Sequence, residues 1–169
     1  MAAAPAQAGA FGATIYRRMA GAYRRYVALS ARDKGLVLEA VLLLAVVRAG
    51  LIGCSILRMR RILSLYTKRR GRRGRADRED LSRIQWAIAA ATRRIPGATC
   101  LVQALTAEAL LQRRGLPSEL CLGVRKRDTA SKSLEAHAWV LCDREVVTGG
   151  GDEQPEFTVL SRLSSLSKA

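Results

Sequence analysis

The chain of 169 residues contains a single histidine, His137, and four cysteines at 54, 100, 121 and 142. No two cysteines stand in Cys-x-x-Cys spacing, and one histidine does not complete a common zinc pattern. Neither a metal site nor a cofactor is therefore expected. Acid is also scarce: 14 Asp and Glu against 29 Lys and Arg give a formal charge of +15. That excess predicts an acidic partner or an anionic surface. No internal repeat is visible. No early basic region precedes an apolar run, so no secretory signal is expected. Cys121 and Cys142 fall on predicted strands, where two buried thiols in a reducing cytoplasm explain them more simply than a disulfide.

What is present divides the chain into five stretches. Residues 1–29 read as a disordered basic tail, uncharged and Ala/Gly-rich to Thr14. Tyr16-Arg-Arg-Met19 and Tyr23-Arg-Arg-Tyr26 follow. Such aromatic–basic mixtures suit nucleic acid or lipid, but a solvated basic tail is the commoner case and no nucleic-acid partner is expected. Residues 30–57 predict an apolar docking helix, opened by Ser30 as N-cap with Asp33 three residues on. Glu39 and Arg48 split it into uncharged runs of eight and nine residues. Both runs fall short of the roughly 18–20 apolar residues that span a bilayer, so a buried, partner-covered or membrane-surface helix is expected.

Residues 58–76 read as a flexible linker. It holds nine basic residues, no acid before the end of the basic run at Arg75, and two glycines, Gly71 and Gly74, that weaken a helix. Residues 77–160 carry the domain proper. Asp77-Arg-Glu-Asp80 starts a helix with the stripe Leu81, Ile84, Ile88, Ala91, Ile95, and Trp86 lies off it. A second helix follows. The pattern then switches to period two, with strands at 119–125, 134–141 and 145–148 and a short one at 157–160. Residues 161–169 are a fraying tail. Helices followed by strands predict an α+β domain.

The second helix concentrates the chemistry. Pro96 and Gly97 end what precedes it, Thr99 is a candidate N-cap, Cys100 begins its first turn, and Gly115 and Pro117 end it. A cysteine at a helix N-terminus faces the positive end of the dipole, which favours the thiolate. Downstream, Leu134-Glu-Ala-His-Ala-Trp-Val-Leu141 carries His137 on a predicted strand. Cys100 and His137 are thus a candidate nucleophile and base. By chance many domains hold a cysteine in a helix and a histidine in a strand, so spacing alone does not decide the matter.

A third residue must orient the imidazole. If the strands form a hairpin turning at Asp143-Arg144, residue 142 faces 145 and 137 faces 150. Asp152 then lies diagonally across from His137 on the same face. Asp143 sits six residues along, about 20 Å away on a straight strand. Glu153 falls on the opposite face, although the glycine run at 149–151 leaves either re-aimable. Asp152 is the preferred member.

Four motifs in order carry a resemblance. Pro96-Gly-Ala-Thr-Cys-Leu-Val-Gln-Ala-Leu105, Leu110-Leu-Gln-Arg-Arg-Gly-Leu-Pro117, Leu122-Gly-Val-Arg-Lys126 and Ala136-His-Ala-Trp-Val140 are similar to the lasso-peptide biosynthesis leader peptidases, which have a transglutaminase-like cysteine protease fold. The likeness runs from about residue 36 to 160. It implies an α+β fold with the catalytic cysteine at a helix N-terminus packed on a small antiparallel sheet, preceded by an apolar helix. It also implies a cytoplasmic cysteine peptidase, of Cys-His-Asp type, that removes the leader of a ribosomally made precursor. Cys100 matches the nucleophile and His137 the base. The family's aspartate lies about a dozen residues after the histidine, where this chain has Gly149. The implied partners are the precursor peptide, a small leader-recognition protein and a separate ATP-dependent cyclase. The inner membrane face is a candidate contact for the apolar helix and basic linker. Two other readings stand beside it: a different transglutaminase-like amidase or transferase, and a non-catalytic basic module bound to membrane or nucleic acid.

Overall fold

The computed structural model describes residues 30–67, 77–126, 134–149 and 157–164. The chain divides into two compact units, 1–35 and 36–169. Of the first, residues 30–35 are described. They hold the start of helix α1 (Ala31–Gly53), whose cap is the one anticipated: the Asp33 N–H donates to Ser30 Oγ at 3.1 Å, and Ser30 Oγ–H donates to Asp33 Oδ2 at 2.6 Å.

Among the described residues, the second unit holds the rest of α1, three further helices and one sheet. The helix expected to run to Leu57 stops at Gly53, and a separate helix α2 (Ile56–Thr67) follows. The first ten residues of the expected linker, 58–67, therefore belong to a helix, while the rest of it lies outside the described residues. Charge suggested a linker there, yet Met59, Leu63 and Thr67 recur at i, i+4, i+8 and bury one stripe. Met59 packs where a Cβ on Gly50 would stand, so glycine lets α2 close on α1. Glu39 of α1 accepts from Tyr66 Oη at 2.9 Å and pairs with Arg113 at 3.1 Å and Arg114 at 3.1 Å.

Helices α3 (Arg78–Thr92) and α4 (Cys100–Arg113) come next. Leu81, Ile84, Ile88 and Ala91 of α3 are buried as the stripe predicts, whereas Trp86 is 40 % exposed and Ile95 lies beyond the helix end. Helix α4 is buried all round from Ala104 to Leu111, including Thr106 and Glu108. It is the central helix, with α2, α3 and the sheet around it. Burial of Glu108 is matched by Arg60, whose Nε donates to Oε2 at 2.9 Å and whose Nη2 also reaches the carbonyls of Leu163 and Ser164, each at 3.2 Å.

The strands are β1 (Glu119–Lys126), β2 (Leu134–Cys142), β3 (Glu145–Thr148) and β4 (Thr158–Ser164). They form one antiparallel sheet in the order β3-β2-β1-β4. Strand β4 extends four residues into the stretch expected to fray, and pairs with β1 to Glu119. Leu120, Ala138, Val140 and Cys142 alternate on one face and are almost wholly buried. On the other face Cys121, Trp139 and Phe157 make a separate buried cluster. Cys121 and Cys142 are free thiols, and Cys121 stands opposite Trp139 rather than Cys142. Burial, first of all, pushes the Cys121 thiol up, and pushes Cys142 up to about 11 with help from Asp143 and Glu145.

Candidate active site

Local sequence places Cys100 at the first position of α4. Gly97 takes φ +74, a turn that a side chain disfavours, and ends the preceding segment. Thr99 is the N-cap with extended backbone; its Oγ accepts from the Val102 N–H at 3.5 Å and its carbonyl from the Gln103 N–H at 3.0 Å. The Thr99 N–H itself donates to the Gly97 carbonyl at 3.0 Å, so two of the four orphan N–H groups of the helix start, those of Thr99 and Val102, are taken. Those of Cys100 and Leu101 have no partner among the described residues, so they remain available for a developing oxyanion. At the far end Gly115, φ +70, closes a Schellman motif: its N–H donates to the Gln112 carbonyl and the Leu116 N–H to that of Leu111. The Arg48 guanidinium lies 3.1–3.3 Å from where a Cβ on Gly97 would stand, closer than ordinary van der Waals contact, which brings a fixed positive charge to the turn leading into Cys100.

His137 lies in the middle of β2, opposite Gly123 of β1. Its ring stacks with Trp139, centroids 6.0 Å apart, and meets Phe157 at 5.1 Å. Gly123 is needed here because a Cβ would stand 2.9 Å from the Trp139 ring. The imidazole Nε2 is 2.9 Å from the carbonyl oxygen of Gly149. A carbonyl only accepts, so Nε2 carries the proton and the neutral ring keeps its lone pair on Nδ1. That tautomer leaves Nδ1 as the basic nitrogen.

Helix α4 packs on β2, so Cys100 and His137 sit on neighbouring elements. Both are half-buried. Among the described residues no hydrogen bond joins the thiol to the imidazole. Alternation puts His137 on the Trp139 face of the sheet, opposite the face of Ala138 and Val140. In ligand-free sites such bonds are often long and tighten only around substrate.

The third position is where the sequence reading meets the structure least well. Asp143 and Arg144 do form the two-residue turn, with φ +48 and +69, and Cys142 faces Glu145. The register then slips: Leu141 faces Val146, but Val140 faces Thr148. A bulge therefore removes the arithmetic that placed 137 opposite 150 and preferred Asp152 to Glu153. Asp152 and Glu153 themselves lie outside the described residues. Asp143 is at the turn, six residues from His137, as expected. Among the described residues, the group that holds the imidazole is the Gly149 main-chain carbonyl, at the position where the resemblance implies an aspartate. No side-chain motif could have announced it, although the glycine at that spot was its trace.

With this geometry in view, one comparison decides the family: the model of the transglutaminase-like superfamily matches residues 42–162, more than two thirds of the chain. The chain belongs to the transglutaminase-like superfamily. Members of this superfamily are usually cysteine hydrolases or transferases, cysteine proteases among them. The transglutaminase-like match begins inside α1 and ends inside β4, so all of α2 lies within it along with Cys100 and His137. Neither the curated proteins nor the solved structures contain a match to the chain. Among the described residues no cluster of three or more His, Cys, Asp or Glu is arranged to hold a metal ion.

Proposed function

We propose that this transglutaminase-like protein is a cysteine peptidase that releases the leader of a lasso-peptide precursor. The supporting observation is the superfamily match extending across both Cys100 and His137. Specificity for that precursor rests on the four motifs, Pro96 to Leu105 and Ala136 to Val140 above all.

In the proposed reaction the Cys100 proton passes to His137 Nδ1, and the thiolate attacks the carbonyl that joins leader to core. The N–H groups of Cys100 and Leu101 receive the oxyanion. Collapse breaks the C–N bond, and the core leaves with the proton from His137, exposing a new amine. Water, deprotonated by His137, then hydrolyses the leader thioester and returns the free thiol. The amine so formed is what a separate ATP-dependent cyclase needs for macrolactam closure. Gly149 holds the ring in its tautomer, and Asp152, the proposed third member, would have to share Nε2–H with that carbonyl. A small leader-recognition protein supplies precursor binding, and the reaction belongs in the cytoplasm.

The test incubates the chain with recognition protein and precursor and follows leader release by mass spectrometry. Release that Cys100→Ala abolishes, in a folded variant, supports the reading. Undiminished release by that variant contradicts it. A crippling Asp143→Asn beside a silent Asp152→Asn would transfer the third role to Asp143.

A further inference from the structure

Helix α1 is apolar on both sides. Its inner side buries Leu36, Val37, Ala40, Leu43, Leu44 and Val47, while Leu38, Leu42 and Val46 on the outer side are each more than half exposed and Ile52 is 87 % exposed. A soluble surface helix would carry charge there. By length and composition α1 could cross a bilayer. However, its inner face is packed, and Glu39 is ion-paired to Arg113 and Arg114 of α4. The feature left for lipid is an outer face.

Past the corner, α2 also leaves one side exposed, with a different chemistry. Opposite its buried Met59 and Leu63 stand Leu57, Arg58, Arg61, Ile62 and Leu65, all exposed. Neither the Arg58 nor the Arg61 guanidinium has an ion-pair partner among the described residues, whereas Arg60, one position between them, is committed to Glu108. From Ala40 to Ala76 the sequence contains no Asp or Glu. Apolar side chains interleaved with unpaired arginines, on a stretch without acid, are the pattern of a helix lying in an interface: the apolar groups enter the acyl boundary and the guanidinium groups meet headgroup phosphates. A protein partner of ordinary apolar character would leave the two arginines unmatched.

We propose that the α1–α2 corner, centred on Ile52, Leu57, Arg58, Arg61, Ile62 and Leu65, docks the protein on an anionic lipid surface. This does not depend on the peptidase reading, and leader release in the absence of vesicles is unchanged by it.

The test is flotation of the full chain with vesicles of phosphatidylcholine alone and of an equal mixture with phosphatidylglycerol. Binding is expected to the anionic vesicles only, and to be lost near 1 M salt, where the screening length is about 3 Å. The pair R58Q/R61Q should lower partition roughly 25-fold, about fivefold for each arginine. The pair I52S/L57S should lower it about tenfold. These side chains are exposed, so both variants should keep the wild-type melting temperature. Failure of the wild type to float on anionic vesicles overturns the proposal. So does wild-type binding that both folded variants retain, which would assign it to the other basic stretches. Equal binding to neutral vesicles overturns the anionic preference and with it the role of the arginines.

Discussion

The Arg60–Glu108 pair joins three elements at one point, and its removal has a calculable cost. Glu108 has a side chain 3 % exposed and Arg60 one 16 % exposed. Arg60 also ties β4 through the Leu163 and Ser164 carbonyls. Arg60→Ala would leave a carboxylate buried without its counter-ion, a loss of about 3–5 kcal/mol. Glu108→Ala should cost about 3 kcal/mol, at the low end of that range, because the guanidinium keeps two carbonyls and a path to water. Replacing both with apolar residues, R60M/E108L, removes two buried charges together and should return stability to within about 1 kcal/mol of wild type. Urea titration reads all three. With a slope of about 2 kcal/mol per molar, a 3 kcal/mol loss moves the midpoint down by about 1.5 M. Single variants that each lose less than about 1 kcal/mol would show a pair screened like a surface one, and would refute the clamp.

Two further outcomes follow from the sheet. Gly149→Ala forces a side chain onto φ +70, with its Cβ 2.6 Å from the Ala138 carbonyl and 3.1 Å from His137 Nε2. It should cost about 2–3 kcal/mol in urea titration and disturb the imidazole, and a loss below about 0.5 kcal/mol would contradict the close approach. Cys142 has its thiol raised from 9.0 to about 11 by burial, then by Asp143 and Glu145. The folded state therefore holds the proton more tightly than the unfolded one. That contribution is whole below about pH 9 and is lost as pH climbs through about 11. The melting temperature should fall across that window more steeply in wild type than in Cys142→Ala, and parallel curves would refute the buried thiol's part.

Features written into a few neighbouring residues were legible from the sequence. Ser30 and Asp33, Thr99 before Cys100, and Gly115 after Arg114 each satisfy backbone groups within one turn, so residue type dictates the cap. The α+β class followed from the change of period near Glu119. What depended on distant partners was not legible. Arg60 looked like one more charge in a linker because Glu108 is 48 residues away. Strand β4 continues to Ser164 because β1 offers it a free edge, which its own polar sequence does not announce. The bulge at Val140 shifts pairing by one residue, and no residue type there demands it. A carbonyl at Gly149 has no side-chain signature at all, so the group facing His137 emerged only from the fold.

The four free thiols allow Cys100 to be measured against internal standards. Cys54 is half-buried like Cys100, while Cys121 and Cys142 are buried. Alkylation of the folded chain by iodoacetamide at neutral pH, followed by peptide mapping, gives four rates in one experiment. If Cys100 is a nucleophile served by His137, it reacts about tenfold or more faster than Cys54, the buried pair barely reacts, and His137→Ala slows Cys100 alone. A Cys100 rate equal to that of Cys54, or one indifferent to His137→Ala, would contradict the assignment of nucleophile and base.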